Sequence, residues 1–205
     1  MTLSSPTRAL RVQLLDTWHV GSGRAQGRHL DAVVDRDARG LPYVPGRMLK
    51  GLLRDAAQAM QSWGHWSAER VERLFGSASQ GSDAGLQPGL LHISSAELSA
   101  AERDWLGSDS ADARRQREAL FIAQFQTAID QDSGIAASGS LRGIELVLPV
   151  DLMSEVMLGR SGQTATDDDW QHLGALLPLV RALGAHKTRG HGRARLSWAD
   201  NGGPA

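Results

Sequence analysis

The order of elements in this sequence predicts an α+β fold: a ferredoxin-like antiparallel sheet with inserted loops and a projecting hairpin. Three observations predict it. Leu10, Val12 and Leu14 alternate with Arg11 and Gln13, the pattern of a half-buried first strand. Leu49, Leu52, Leu53, Ala56, Ala57 and Met60 then recur at helical spacing. Further extended runs and a second apolar stripe complete the order strand, loop, helix, strand, hairpin, strand, helix, strand.

Taken in order, Trp18–Arg28 reads as a loop, Leu30–Arg36 as extended chain, and Asp37-Ala-Arg-Gly40 as a turn. Pro45 precedes the helix that begins at Arg47, a place that favours proline. A second short helix over 68–75 ends at Gly76, which suits a C-terminal cap. Ser77–Pro88 is a polar Gly/Ser-rich loop, and Leu90–Glu97 is a strand. Ser99–Arg117 is polar and charged, and reads as an insertion (about 99–118) that is partly helical or disordered. Phe121–Asp130 and Ser140–Val150 form the two arms of a long hairpin, about 121–150, and Met153–Leu158 is another strand. Thr166 caps a helix whose first turn holds Asp167, Asp168 and Asp169. The stripe Leu173, Leu176, Leu177, Val180 and Leu183 carries that helix past Pro178 until Gly184 stops it. Arg193–Trp198 is the last strand, and the whole chain, 1–205, reads as one domain.

Composition narrows the function. Hydrophobic content of 41% and charged content of 22% are ordinary for a soluble globular protein. There are 23 glycines in 205 residues, against a usual level of about 7%, so turns and loops carry unusual weight. With no cysteine, disulfides, thiolate zinc sites and cysteine nucleophiles are excluded. No run of about 18 apolar residues is present to cross a bilayer, and no apolar signal core follows Met1, so the chain is expected to be intact, cytoplasmic and free of membrane. The net charge of −1 argues against a surface that is basic all over.

Positive charge is instead local. From Gly21 to Arg54 glycines and arginines lead to a lone acid, Asp31, and then to a helix bearing Arg47, Lys50 and Arg54. Those three fall at i, i+3 and i+7, on one helix face. A second glycine-and-cation run, GAHKTRGHGRAR, occupies Gly184–Arg195. Gly-rich backbone approaches a ligand closely and its N–H groups suit phosphate. Two such runs in a near-neutral chain point to a polyanion track, with Gly21, Gly23, Arg24, Arg28, Arg47, Lys50, Arg54, Lys187, Arg189, His191 and Arg193 as the candidates to line it.

Four ordered segments carry a resemblance. They are Gly21-Ser-Gly23 through Leu30-Asp31, Val34-Asp-Arg36-Asp37 and Gly40-Leu-Pro-Tyr-Val-Pro-Gly46 to Leu53-Arg54; Leu74-Phe75-Gly76-Ser77; Thr127-Ala-Ile-Asp130 through Gly139-Ser140-Leu141 to Glu145; and Gly184 through Lys187-Thr-Arg-Gly-His-Gly-Arg193. Together they resemble the RAMP superfamily of CRISPR-associated proteins, above all the backbone subunits of type III effector complexes. The resemblance implies an RRM-like sheet, a guide RNA (crRNA) bound along a filament of this chain or related subunits, and other type III effector subunits as partners. It implies a thumb hairpin that wedges apart the guide–target duplex, here with Ile129, Ile135 and Leu141 as wedge residues; read from the residues alone, the same three fit an ordinary hairpin core contact equally well. It also implies cleavage of target RNA through Asp31, which would help hold a divalent cation, Mg2+ first among candidates. The chain departs from many relatives in lacking the cysteines some use for zinc, so no structural zinc is expected. Ala32 and Val33 stand where the family often has proline, and the short chain leaves room for only a modest lid.

Read without the family pattern, Asp31 is a solvated loop acid or turn cap. A lone carboxylate with an ordinary pKa near 4 is a poor base for a ribose 2′-hydroxyl, which is why the metal is invoked. Asp35 and Asp37 read as structural, with Asp37 opening a turn, and Arg36 pairs with one of them. Trp63, Trp66, Trp105, Trp170 and Trp198 read as packing residues, and only Trp18 stays open as a stacking platform. Two alternatives within the family stand beside target cleavage: a binding-only backbone subunit, and a metal-independent guide-processing endoribonuclease using His29, His186 or His191. Outside it stands an unrelated RNA-binding ferredoxin-like protein.

Overall fold

The computed structural model describes residues 7–21, 31–77, 87–130, 132–137, 139–160 and 163–199. Four antiparallel strands make the main sheet: β1 (Thr7–Leu14), β2 (Leu91–Ile93), β5 (Asp151–Arg160) and β7 (Ala194–Trp198). Their order is β2-β5-β1-β7, with the two-residue strand β6 (Gln163–Thr164) folding back on the end of β5. Helices α1 (Gly46–Ser62) and α2 (Ala68–Phe75) follow the first strand, and α5 (Asp167–Leu176) precedes the last. Counting only the four sheet strands, this is a βαββαβ arrangement, so the fold class expected from the sequence is the one observed.

Local chemistry explains the elements. The alternation of β1 buries Leu10, Val12 and Leu14. Helix α1 turns Leu49, Leu53, Ala56 and Ala57 into the core. Its start is pinned by contact, since a Cβ on Gly46 would lie 2.2 Å from Ile93 O. Ser67 caps α2 by accepting from Arg70 N, and Gly76, at φ 90°, ends it. A capping box of Thr166 and Asp169 starts α5.

The polar segment after β2 takes the helical one of its two readings: α3 (Ala100–Leu106) begins with a Ser99/Glu102 capping box and α4 (Ala111–Ala119) with a Ser110 cap. One reading needs correction. Helix α5 does not reach Gly184. It ends at Leu176, tightens into a 3-10 turn over Leu177–Leu179 at Pro178, and gives way to a bridge between Ala182 and Arg193. Proline lacks the N–H and clashes with the preceding turn, so the apolar stripe outlasts the helix.

The hairpin forms a second sheet from β3 (Phe121–Gln126) and β4 (Arg142–Val147). A bridge between Trp18 and Val147 and the bond from Leu148 N to Leu120 O join its root to the rest of the molecule. One buried apolar cluster, from Leu10 to Leu196, runs under the main sheet, α1, α2 and α5.

Candidate nucleic-acid interface

The segment after β1 carries the first half of the interface. Backbone N–H of Asp31 donates to Gly143 O at 2.8 Å, and Gly143 N donates back to Asp31 Oδ2 at 3.0 Å. Ala32 then bridges Ile144 of β4, and Val34 bridges Gly21. Asp31 is exposed, and its other carboxylate oxygen has no hydrogen-bond partner among the described residues. It therefore sits at the root of the hairpin, held by backbone on one side and open to solvent on the other.

Glu145 holds this segment in place. Its buried carboxylate accepts from Val34 N at 3.0 Å and from Arg36 Nη2 at 2.6 Å. The Arg36 guanidinium also lies over the Phe121 ring, 3.6 Å from its centroid. Arg36 thus pairs with Glu145 and not with Asp35 or Asp37, the partners the sequence offered. Asp35 instead accepts from the Tyr43 hydroxyl at 2.7 Å. Asp37 does what a turn-opening acid does, accepting from Arg39 N and Leu41 N through one oxygen.

The C-terminal glycine run closes on the same place. Ala185 N donates to His19 O at 2.8 Å, and Gly192 N to Thr17 O at 2.8 Å. Gly184 takes φ 79°, and a Cβ there would meet His19 O at 2.2 Å, so only glycine permits this approach. His19 is buried, with Nδ1 2.7 Å from Glu145 O. The His186 ring lies 6.2 Å from His19 and 6.5 Å from His191, centroid to centroid. Burial lowers the pKa of His186, and the charges of Arg189, His19 and His191 push the same way. The imidazole is therefore kept neutral near pH 7.

Beyond His186 a 3-10 turn over Lys187–Arg189 presents both cations to solvent. Arg189 Nη1 reaches Gln126 Oε1 at 3.1 Å, at the end of β3 and opposite Arg142. The Gly184–Gly192 bend, the segment Thr17–His19 and the hairpin root with Asp31 thus share one side of the molecule, while residues 22–30 of the first glycine-rich run lie outside the described residues. His191 Nδ1 contacts Thr17 Oγ1 at 2.9 Å, and Arg193 pairs with Asp16 at 2.8 Å. Lys187 is exposed and its ammonium has no bond among the described residues, while Arg193 is committed to an acid.

The helix cations stand apart from this cluster. Lys50 Nζ donates to Leu91 O at 2.8 Å and Arg54 Nη2 to Gly76 O at 3.0 Å, so neither is the solvated cation that the helical spacing suggested. Burial and the nearby Arg54 lower the pKa of Lys50. Arg47 is exposed and, with Lys50 and His92, lines a cleft of about 460 Å³ over β2 and β5. Gly23, Arg24 and Arg28, like His29, lie outside the described residues.

The hairpin tip is apolar and bare. Ile129, Ile135 and Leu141 are 61%, 67% and 63% exposed, and Phe125 beside them is also exposed. An ordinary hairpin core contact is therefore excluded for these side chains. Trp18 is fully buried and donates from Nε1 to Leu148 O, so it packs and does not stack on a ligand. Trp63 and Trp105, read as packing residues, are instead exposed.

The residues that assemble this interface, His19, Glu145 and Asp16, were not singled out as site residues. They act through contacts 109 to 177 positions away in sequence. A lone acid in a predicted strand, Glu145, was the available signal. No group of three His, Cys, Asp or Glu among the described residues is arranged to hold a metal ion.

Comparison with curated proteins by sequence gives no match. Among solved structures, the type III-B Cmr-beta bound to cognate target RNA contains a chain similar to this one. The TM-score is 0.71 and the identity 15%, covering 95% of this chain and 97% of that one. A chain of the apo Cmr-beta gives TM-score 0.65 at 13% identity, covering 95% and 98%. A chain of a type IV-B CRISPR complex gives 0.63 at 14%, covering 98% and 93%. At such identities the likeness shows a shared fold. The RAMP superfamily profile matches residues 11–195, and the chain belongs to that superfamily.

Proposed function

We propose that this protein is a backbone subunit of a type III CRISPR ribonucleoprotein, binding guide RNA and cleaving complementary target RNA at Asp31. One observation carries the reading: the Gly184–Gly192 bend bonds the backbone of Thr17 and His19, and His19 in turn meets Glu145 at the root of a bare apolar hairpin that also holds Asp31. A similar chain occurs in an effector complex bound to cognate target RNA, which supports RNA as the ligand. The guide follows the surface beside the Gly184–Gly192 bend, where backbone N–H groups, Lys187 and Arg189 meet its phosphates. Ile129, Ile135 and Leu141 wedge the guide–target duplex apart above Asp31. Copies of this chain or related subunits stack along the guide, with other effector subunits, in the cytoplasm.

Asp31 would hold a hydrated divalent cation through its unengaged carboxylate oxygen. When bound, Mg2+ would stabilise charge on the scissile phosphate. In the cleavage step water takes the proton of the 2′-hydroxyl, the 2′-oxygen attacks the adjacent phosphorus to close a 2′,3′-cyclic phosphate, and the 5′-oxygen leaves with a proton from water. The bond from Gly143 N to Asp31 Oδ2 favours a second reading, in which this acid only fastens the loop and the subunit binds without cutting.

Incubating the assembled complex with matched target RNA, with and without chelator, separates the two. Target cleavage that stops with chelator and in Asp31→Ala, with guide binding retained, is the expected result. Undiminished cleavage by Asp31→Ala would remove that residue from catalysis. A complex that binds target and never cuts it would leave the binding-only subunit.

A further inference from the structure

The two edges of the main sheet are finished differently. In β2 the N–H and C=O groups of His92 face β5, and those of Leu91 and Ile93 face outward. That outer edge is closed by α1, with Lys50 Nζ donating to Leu91 O. A lysine across an edge is a common guard against strand addition.

The β7 edge has no such guard. Leu15 N donates to Arg193 O, and Ala199 N to Ala9 O, so the odd-numbered residues of this strand bond to β1. The even-numbered ones therefore turn their backbone groups outward. Ala194 N is taken by Arg181 O, but the pairing stops there because Pro178 and the 3-10 turn lead the chain away. Leu196 is left with an outward N–H and C=O that meet no partner among the described residues, although the residue is 4% exposed as a whole.

Beside this edge runs a groove of about 470 Å³. Leu15, Leu177, Pro178 and Val180 give it an apolar floor, and Arg181, Arg193 and Arg195 rim it. Arg193 is paired with Asp16, whereas Arg181 and Arg195 are exposed and have no acid partner among the described residues. Backbone groups spaced for a strand, an apolar floor and two uncompensated arginines define one kind of occupant.

We propose that the β7 edge is a docking site for an extended segment of a partner protein, one that alternates apolar and acidic residues and adds as a short antiparallel or parallel strand. Its backbone bonds Leu196, its apolar side chains enter the groove, and its carboxylates face Arg181 and Arg195. Of the candidates for the polyanion track this groove shares only Arg193, and Arg193 is already paired with Asp16, so the proposal does not rest on the RNA reading.

The test uses the full-length purified chain and a fluorescent peptide, acetyl-Glu-Val-Glu-Val-Glu-Val-amide, followed by anisotropy at low salt. Two control peptides replace Glu with Lys, or carry N-methyl groups on alternate amides along either edge. The proposal expects saturable binding that drops at least tenfold with Lys, with N-methylation of one edge only, and in Arg181→Glu/Arg195→Glu. Both arginines are exposed, so that variant is expected to keep the parent's melting temperature. Failure of the Glu peptide to bind, equal binding by the Lys peptide, or indifference to N-methylation at both edges would overturn the proposal. Displacement of the bound peptide by a short oligoribonucleotide would overturn it too, assigning the arginines to RNA.

Discussion

At the scale of single residues, Glu145 does more than its place in a strand suggests. One buried carboxylate satisfies Val34 N and Arg36 at once, and its carbonyl receives His19. Replacing it with alanine leaves a buried N–H and a half-exposed guanidinium without partners. Each unsatisfied buried donor costs on the order of 1–3 kcal/mol. Glu145→Ala is therefore expected to lower unfolding free energy by about 2 kcal/mol in a urea titration, with Arg36→Ala losing less because Arg36 is partly solvated. Equal stability of Glu145→Ala and the parent would show that the carboxylate does not hold the Asp31 segment. Asp31 itself was legible from the sequence as an exposed acid at a loop-to-strand transition. Its bond to Gly143, 112 positions away, was not, because no local pattern encodes a long-range backbone partner.

Among the elements, those with local signals were the most legible. The helix over 68–75 was bounded correctly because Ser67 and Gly76 mark its ends chemically. In the insertion over 99–118 the choice between helix and disorder stayed open: its helices are mostly polar, so periodicity is weak, although the Ser99/Glu102 box is there to be read. Helix α5 shows how a cap becomes a tertiary contact. Asp169, the N3 residue of its capping box, also accepts both Nε and Nη2 of Arg73 from α2 at 2.8 Å. The Arg73 bond, working against a burial cost and helped by Thr166, holds the Asp169 carboxyl down at about 2. The folded pKa is depressed, so this contribution is complete above the unfolded value near 4 and is lost as pH falls toward 2. It amounts to about 2 kcal/mol. Denaturant titrations at pH 6 and at pH 2.5 should show Asp169→Asn closing the gap to the parent at the lower pH. An undiminished gap would show that the pair is not what the acid removes. For the hairpin, Ile129→Ser with Ile135→Ser is expected to leave the melting temperature unchanged while reducing target-RNA cleavage or its spacing. A large fall in melting temperature would mean that these side chains pack in the protein.

At the scale of the whole molecule, the sheet serves as the device that brings distant chain segments together. Strands β1 and β7 are neighbours, so the loop leaving one and the loop entering the other emerge side by side. Glycine at 184 and 192 then lets the backbones approach closely enough to bond. That convergence follows from the strand order, which the sequence implied, whereas the retreat of Lys50 and Arg54 onto backbone carbonyls does not, because helical spacing says nothing about what lies across the face. Among the described residues, the cations left exposed beside this convergence, Lys187 and Arg189, come from a loop and not from a helix face. The most direct measurement is ultraviolet cross-linking of the purified ribonucleoprotein, with the RNA-bearing peptides identified by mass spectrometry. Cross-links to the same guide within both 16–31 and 184–193 are the expected result. Cross-links confined to one of those segments would contradict the shared interface.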